Sequence, residues 1–174
     1  MDTADEIARD EWMSNLIDEA IEDFKFDRLR SYYLAHTSLA VPAFAMYDEA
    51  MAALSASKSA ALVLSTTAIE IGLKVTLLRP VVYGLVHNES VADLVSDLVT
   101  KQSGFDRIMP LLARVLAEYG GIDARSITMD GHAKTIWEEI AILQKRRNAV
   151  LHQGKLATLE EVELALLVEG LAER

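Results

Sequence analysis

The stretch Ser59-Ala-Ala-Leu-Val-Leu-Ser-Thr-Thr-Ala-Ile-Glu70-Ile-Gly-Leu-Lys74-Val-Thr-Leu-Leu78 decides the fold. It is apolar on nearly every face over a length that could cross a bilayer. Glu70 and Lys74 interrupt it, and charges in hydrocarbon are costly. The stretch therefore reads as the central helix of a bundle, surrounded by other helices, rather than as a membrane span. No membrane partner is expected.

Composition supports a packed helical chain. Of the 174 residues 51% are apolar and 25% charged, enough apolar material for a real core. With 8 glycines and 3 prolines, the chain has too few turn residues for an all-β fold. Cysteine is absent, which rules out disulfides, thiolate metal sites and cysteine nucleophiles. The acidic start MDTADEIARDEW has no basic segment followed by an apolar one, so no secretory leader is expected. Both features fit a cytoplasmic location. The net charge of −10 argues against a protein that coats DNA, because phosphate binding is largely electrostatic. A local phosphate site would have to concentrate its cations.

Working outward, the spacing predicts about seven helices in one all-α bundle spanning residues 1–174. Thr3-Ala-Asp-Glu6 is a capping-box pattern, followed by Trp12, Leu16, Ile17, Ala20, Ile21 and Phe24 at helical spacing. Asp27 is a candidate cap for a second helix through Tyr33, Phe44, Tyr47 and Met51, with Pro42 set to kink or divide it. The central helix should begin near Ser57 and end or bend at Pro80. Asn88 or Ser90 can cap a fourth helix, and a fifth follows Gly104 and stops at Gly120-Gly121. The sixth is expected from Thr128 or Asp130 to Gly154, and Thr158-Leu-Glu-Glu161 is a second capping box that opens the seventh.

The sixth helix carries the candidate chemistry. Its apolar stripe runs Ile136, Ile140, Leu143, position 147, Val150, and position 147 is arginine. A guanidinium on a core-facing stripe is costly unless it is paired or used. Asn148 and His152 lie one turn apart beside it, in the segment Lys145-Arg-Arg-Asn-Ala-Val-Leu-His-Gln-Gly-Lys155. Gly154 is a natural helix stop, which puts His152 in the last turn, where helix ends attract cations. Histidine moves protons near neutral pH, and arginine holds a phosphoryl group by two-point contact. The plain alternative is a dipole-matched helix end, with Arg147 serving only a buried carboxylate. Glu70, mid-helix among apolar residues, is that carboxylate. Its partner is Lys74 four residues on, or Arg147, or both.

Arg147-Asn148-Ala-Val-Leu-His152 resembles the R-x4–6-H signature of the HEPN superfamily in its R-N-x3-H form. Ala68-Ile-Glu70-Ile-Gly-Leu73-Lys74-Val-Thr-Leu77-Leu78 is similar to that family's earlier, polar-residue-bearing helix. The likeness spans about residues 30–172 in the order of elements. It implies a small all-α domain acting as a metal-independent endoribonuclease, in a toxin–antitoxin or antiviral defence system, with no cofactor. It further implies a homodimer in which two motifs face one another. His152 would be general acid or base, Arg147 would orient the phosphate, and Asn148 and Glu70 would position them. Lys145, Arg146 and Lys155 would follow the RNA backbone. An antitoxin or other regulatory protein is the further partner this implies. Relatives controlled by tyrosine adenylylation carry tyrosine two residues after the histidine; Gly154 stands there in this chain, so that control is not expected. The alternative within the family is a non-catalytic module that binds a nucleotide or a protein.

Elsewhere the chemistry is sparse. His36, His87 and His132 show no metal-ligand spacing, and no glycine-rich phosphate loop or G-x-S-x-G occurs. Trp12, Tyr32, Tyr33, Phe44 and Tyr47 fall at helical spacing and read as core or dimer interface rather than as a base-stacking platform. Asp18-Glu19 and Glu22-Asp23 read as the wet side of the first helix.

Overall fold

The computed structural model describes residues 3–86, 88–102 and 105–170. Among these it is an all-α bundle of seven helices. They are α1 (Thr3–Ala35), α2 (Val41–Ala53), α3 (Lys58–Leu85), α4 (Glu89–Gln102), α5 (Phe105–Gly120), α6 (Ile136–Gln153) and α7 (Leu159–Gly170). The only extended pairing among the described residues is a single bridge, Thr128 with Thr135.

α3 is the central helix, as its pattern predicts. Ser57 caps it, its hydroxyl accepting from the Ala60 N–H at 3.2 Å. α2, α6 and α7 pack around its first half. Leu62 and Ile69 meet Ile140 and Leu143 of α6 and Val162 and Val168 of α7 in the main core. A smaller cluster joins Leu78 to Ile108 and Leu112 of α5. By length and composition α3 could cross a membrane. Here its first half lines the main core of the bundle, and Glu70 and Lys74 midway along it pair with each other.

Pro80 was expected to end or bend this helix, but α3 runs on to Leu85. The ladder widens over Leu73–Leu78, so that the Arg79 N–H donates to the Lys74 carbonyl five residues back. Pro80 has no N–H to offer the Thr76 carbonyl. The Tyr33 hydroxyl of α1 donates to it at 2.5 Å. A group from another helix thus satisfies the acceptor that proline leaves open.

Two boundaries differ from expectation, while the division expected at Pro42 falls just before it. α1 runs through Asp27 to Ala35, because nothing near Asp27 breaks a helix; the break falls at residues 36–40. Pro42 then sits in the first turn of α2, where its missing N–H costs nothing. α6 begins at Ile136 rather than near Thr128 or Asp130. Residues 127–135 instead form a short loop closed by the Ile136 N–H on the Ile127 carbonyl at 2.8 Å. Thr135 and Glu138 form a full capping box there. Other punctuation falls as expected. Asn88 caps α4, its side-chain oxygen accepting from Val91 at 3.2 Å. Thr158 and Glu161 bond reciprocally at 3.1 and 3.3 Å to open α7. Gly104 and the Thr3–Glu6 side chains lie outside the described residues.

Candidate active site

The inward stripe of α6 holds. Ile140 and Leu143 are buried, Ile136 and Val150 half-buried, and Arg147 enters the same row half-buried. Its guanidinium is turned toward α3. Nη1 lies 3.4 Å from Glu70 Oε2 and donates also to Gln144 Oε1 at 3.4 Å. The other Glu70 oxygen accepts from Lys74 Nζ at 2.6 Å. Both partners considered for Glu70 are therefore engaged, and the carboxylate bridges two cations on two helices. Arg147 Nε is shielded from solvent and has no hydrogen-bond partner among the described residues.

The remaining motif residues face outward. Asn148 and His152 are exposed, as is Lys145 one turn earlier. Spacings of three and four residues put these three on one face of α6. The helix stops at Gly154, whose φ of 66° is left-handed, with the Lys155 N–H on the Ala149 carbonyl at 3.2 Å. Lys155 is exposed just beyond. Arg147 and His152, five residues apart, differ by about 140° around the axis. One chain thus presents the guanidinium at the α3 seam and the imidazole on the solvent side of the same helix end.

Arg146 belongs to a different contact. It forms an ion pair with Glu161 of α7, across the α6–α7 seam. Burial pushes the Glu161 carboxyl up, but the Arg146 bond and the Thr158 N–H hold it below its ordinary value. Arg146 was expected on the RNA path; this pairing spends its charge inside the bundle. Lys145 and Lys155 are the cations left facing solvent there.

The other histidines resolve differently. His36 stacks on Tyr32, with ring centroids 4.1 Å apart, and its Nδ1 bonds the Tyr32 carbonyl. His132 lies half-buried with Nδ1 3.4 Å from the buried Glu139. That pair went unseen in the sequence because seven residues and a loop separate them. His87 lies outside the described residues. Among the described residues no three His, Asp or Glu side chains are grouped to hold a metal ion.

Fold and site together define an all-α bundle with an Arg-Asn-x3-His helix end braced by a carboxylate from its central helix. No family model, no curated protein and no solved structure matches the chain.

Proposed function

We propose that the chain is a metal-independent endoribonuclease of the HEPN type, acting as a homodimer in a toxin–antitoxin or antiviral setting. The observation that carries this reading is Arg147. Packing alone would choose an apolar residue at this stripe position. Instead the bundle tolerates an arginine whose shielded Nε has no hydrogen-bond partner among the described residues, and braces it with Glu70 at the motif's spacing from His152.

In the proposed reaction one base removes the proton from a ribose 2′-hydroxyl, whose oxygen attacks the adjacent phosphorus. The P–O5′ bond breaks, and an acid returns a proton to the departing 5′-oxygen. The products are a 2′,3′-cyclic phosphate and a 5′-hydroxyl. His152 supplies one of the proton transfers, and Arg147 neutralises charge on the phosphoryl oxygens. Asn148 hydrogen-bonds whichever group it faces, and Glu70 positions the guanidinium. The wide angle between Arg147 and His152 on one helix favours a site completed by a second copy, with the two helix ends facing one another. Lys145 and Lys155 would follow the backbone.

A specific observation favours the second reading, a non-catalytic module for a nucleotide or protein. Glu70 already pairs with Arg147, and the chain as a whole is acidic. One experiment separates the two. Mixed RNA is incubated with the full chain in EDTA and the ends are identified. The catalytic reading expects cyclic-phosphate ends, lost in His152→Ala with the fold retained. Unchanged cleavage in both Arg147→Ala and His152→Ala removes it. Absence of cleavage, with nucleotide-dependent stabilisation lost in Arg147→Ala, supports the second reading.

A further inference from the structure

Among the described residues, side chains in the last turns of α1 tie it to the bundle. Arg28 donates to the Tyr83 and Val86 carbonyls at 3.2 and 2.8 Å, and Tyr33 reaches Thr76. Before that, the helix carries an exposed apolar stripe. Trp12, Met13, Leu16, Ile17 and Phe24 are 60, 45, 46, 51 and 48% exposed. The Arg28 guanidinium lies 5.6 Å over the Phe24 ring at the stripe's end. The opposite side of the helix bears Glu11, Asp18 and Glu22, all exposed.

Charges at the two ends of the stripe say what covers it. Arg9 and Asp27 are 18 residues apart (27 minus 9), which is five turns, so they share one line along the helix about 27 Å apart. Trp12, Met13, Leu16, Ile17 and Phe24 fall within about 80° of that line, while Ile7 and Phe26, also exposed, fall outside it. Both charged residues are exposed, and neither carries an ion pair among the described residues. Asp23, one turn before Asp27 and on the same side of the helix, adds a second exposed carboxylate to that end.

We propose that α1 pairs antiparallel with α1 of a second copy of this chain, around a two-fold axis level with Asp18. That register brings Arg9 of each copy against Asp27 of the other at both ends. It sets Trp12 level with Phe24 and Leu16 level with Ala20, large against small. A parallel pair would place Arg9 on Arg9 and Asp27 on Asp27. The contact is isologous, as a closed two-fold dimer requires. It buries on the order of 1,200 Å² in total, the lower edge of specific interfaces. An anionic membrane is a poorer occupant, because the polar face of α1 is acidic rather than basic. The pairing does not rest on the ribonuclease reading.

The test is sedimentation velocity of the full chain across a concentration series, with helix content followed by far-UV circular dichroism. The wild type sediments as a dimer. Ile17→Glu places a carboxylate in the stripe and yields a folded monomer. Arg9→Asp and Asp27→Arg each weaken the dimer about tenfold, by setting like charges opposite at both ends. The double variant Arg9→Asp/Asp27→Arg returns to within about twofold of wild type. A monomeric wild type overturns the proposal, as does one that stays monomeric and floats with phosphatidylcholine–phosphatidylglycerol vesicles. So does a charge swap that fails to rescue. A dimer that survives Ile17→Glu overturns the α1 contact while leaving a dimer built at the α6 helix ends standing.

Discussion

Arg147 of α6 and Glu70 of α3 meet across the helix seam, Nη1 to Oε2 at 3.4 Å, on a carboxylate whose other oxygen holds Lys74 at 2.6 Å. All three side chains are largely shielded, so the arrangement works as a unit. Removing the one anion strands two cations, whereas removing one cation leaves the anion with a partner. Glu70→Ala should therefore cost about 2–3 kcal/mol, and Arg147→Met less than about 1 kcal/mol. Urea unfolding of both single variants and the double variant measures this. Equal losses in the two singles would show that the carboxylate is not shared.

Arg146 and Glu161 tie α6 to α7 and should make stability fall in acid. The Glu161 carboxyl lies below its ordinary value of 4.5 in the folded chain. Its contribution is therefore complete above that value and disappears as pH falls through the lower, folded value. Glu161→Gln should lower stability by about 1 kcal/mol at neutral pH, and the gap to wild type should close in acid. Thermal unfolding from pH 7 down to pH 3 follows it. A gap that widens toward acid would contradict the assigned direction.

Gly154 ends α6 with a φ of 66°, and a Cβ there would meet no heavy atom within 4 Å. The cost of Gly154→Ala is then conformational rather than steric, about 1 kcal/mol. Because this residue sets how the helix end stops beside His152, the proposed ribonuclease reading expects RNA cleavage to fall more than the stability loss explains. Parallel melting and digestion assays compare the two. An alanine variant as stable as wild type would mean the left-handed stop is dispensable.

Tyr33 closes the acceptor opened by Pro80. Tyr33→Phe leaves the Thr76 carbonyl without that donor and should cost about 1 kcal/mol. Pro80→Ala in the same background should recover part of this, since alanine restores an N–H to the helix. Hydrogen exchange of α1 in the Tyr33→Phe variant should rise toward that of an undocked helix. Unchanged protection would place the anchor of α1 at other contacts such as Arg28 and the Tyr32 ring on Tyr83.

Much of this bundle is written locally. Ser57, Asn88 and Thr158 cap their helices through side chains three residues from the groups they bind, and such signals survive without any tertiary partner. The inward row through Ile140, Leu143 and Arg147 is equally local, since helical period alone sets it. At Pro80 a distant group intervened: Tyr33, 43 residues before Thr76, donates to the Thr76 carbonyl that the proline cannot serve.

The sequence by itself determined an all-α chain, its central helix, and an arginine placed against the grain of its own apolar stripe. These follow from periodicity and composition, which act within a few turns. Only the tertiary structure decided which charges were spent. It gave Arg146 to Glu161, joined Arg147 and Lys74 on Glu70, and left Lys145, Asn148 and His152 facing water. Ion pairing depends on which helices lie side by side, and that is fixed by packing over the whole core rather than by any one segment.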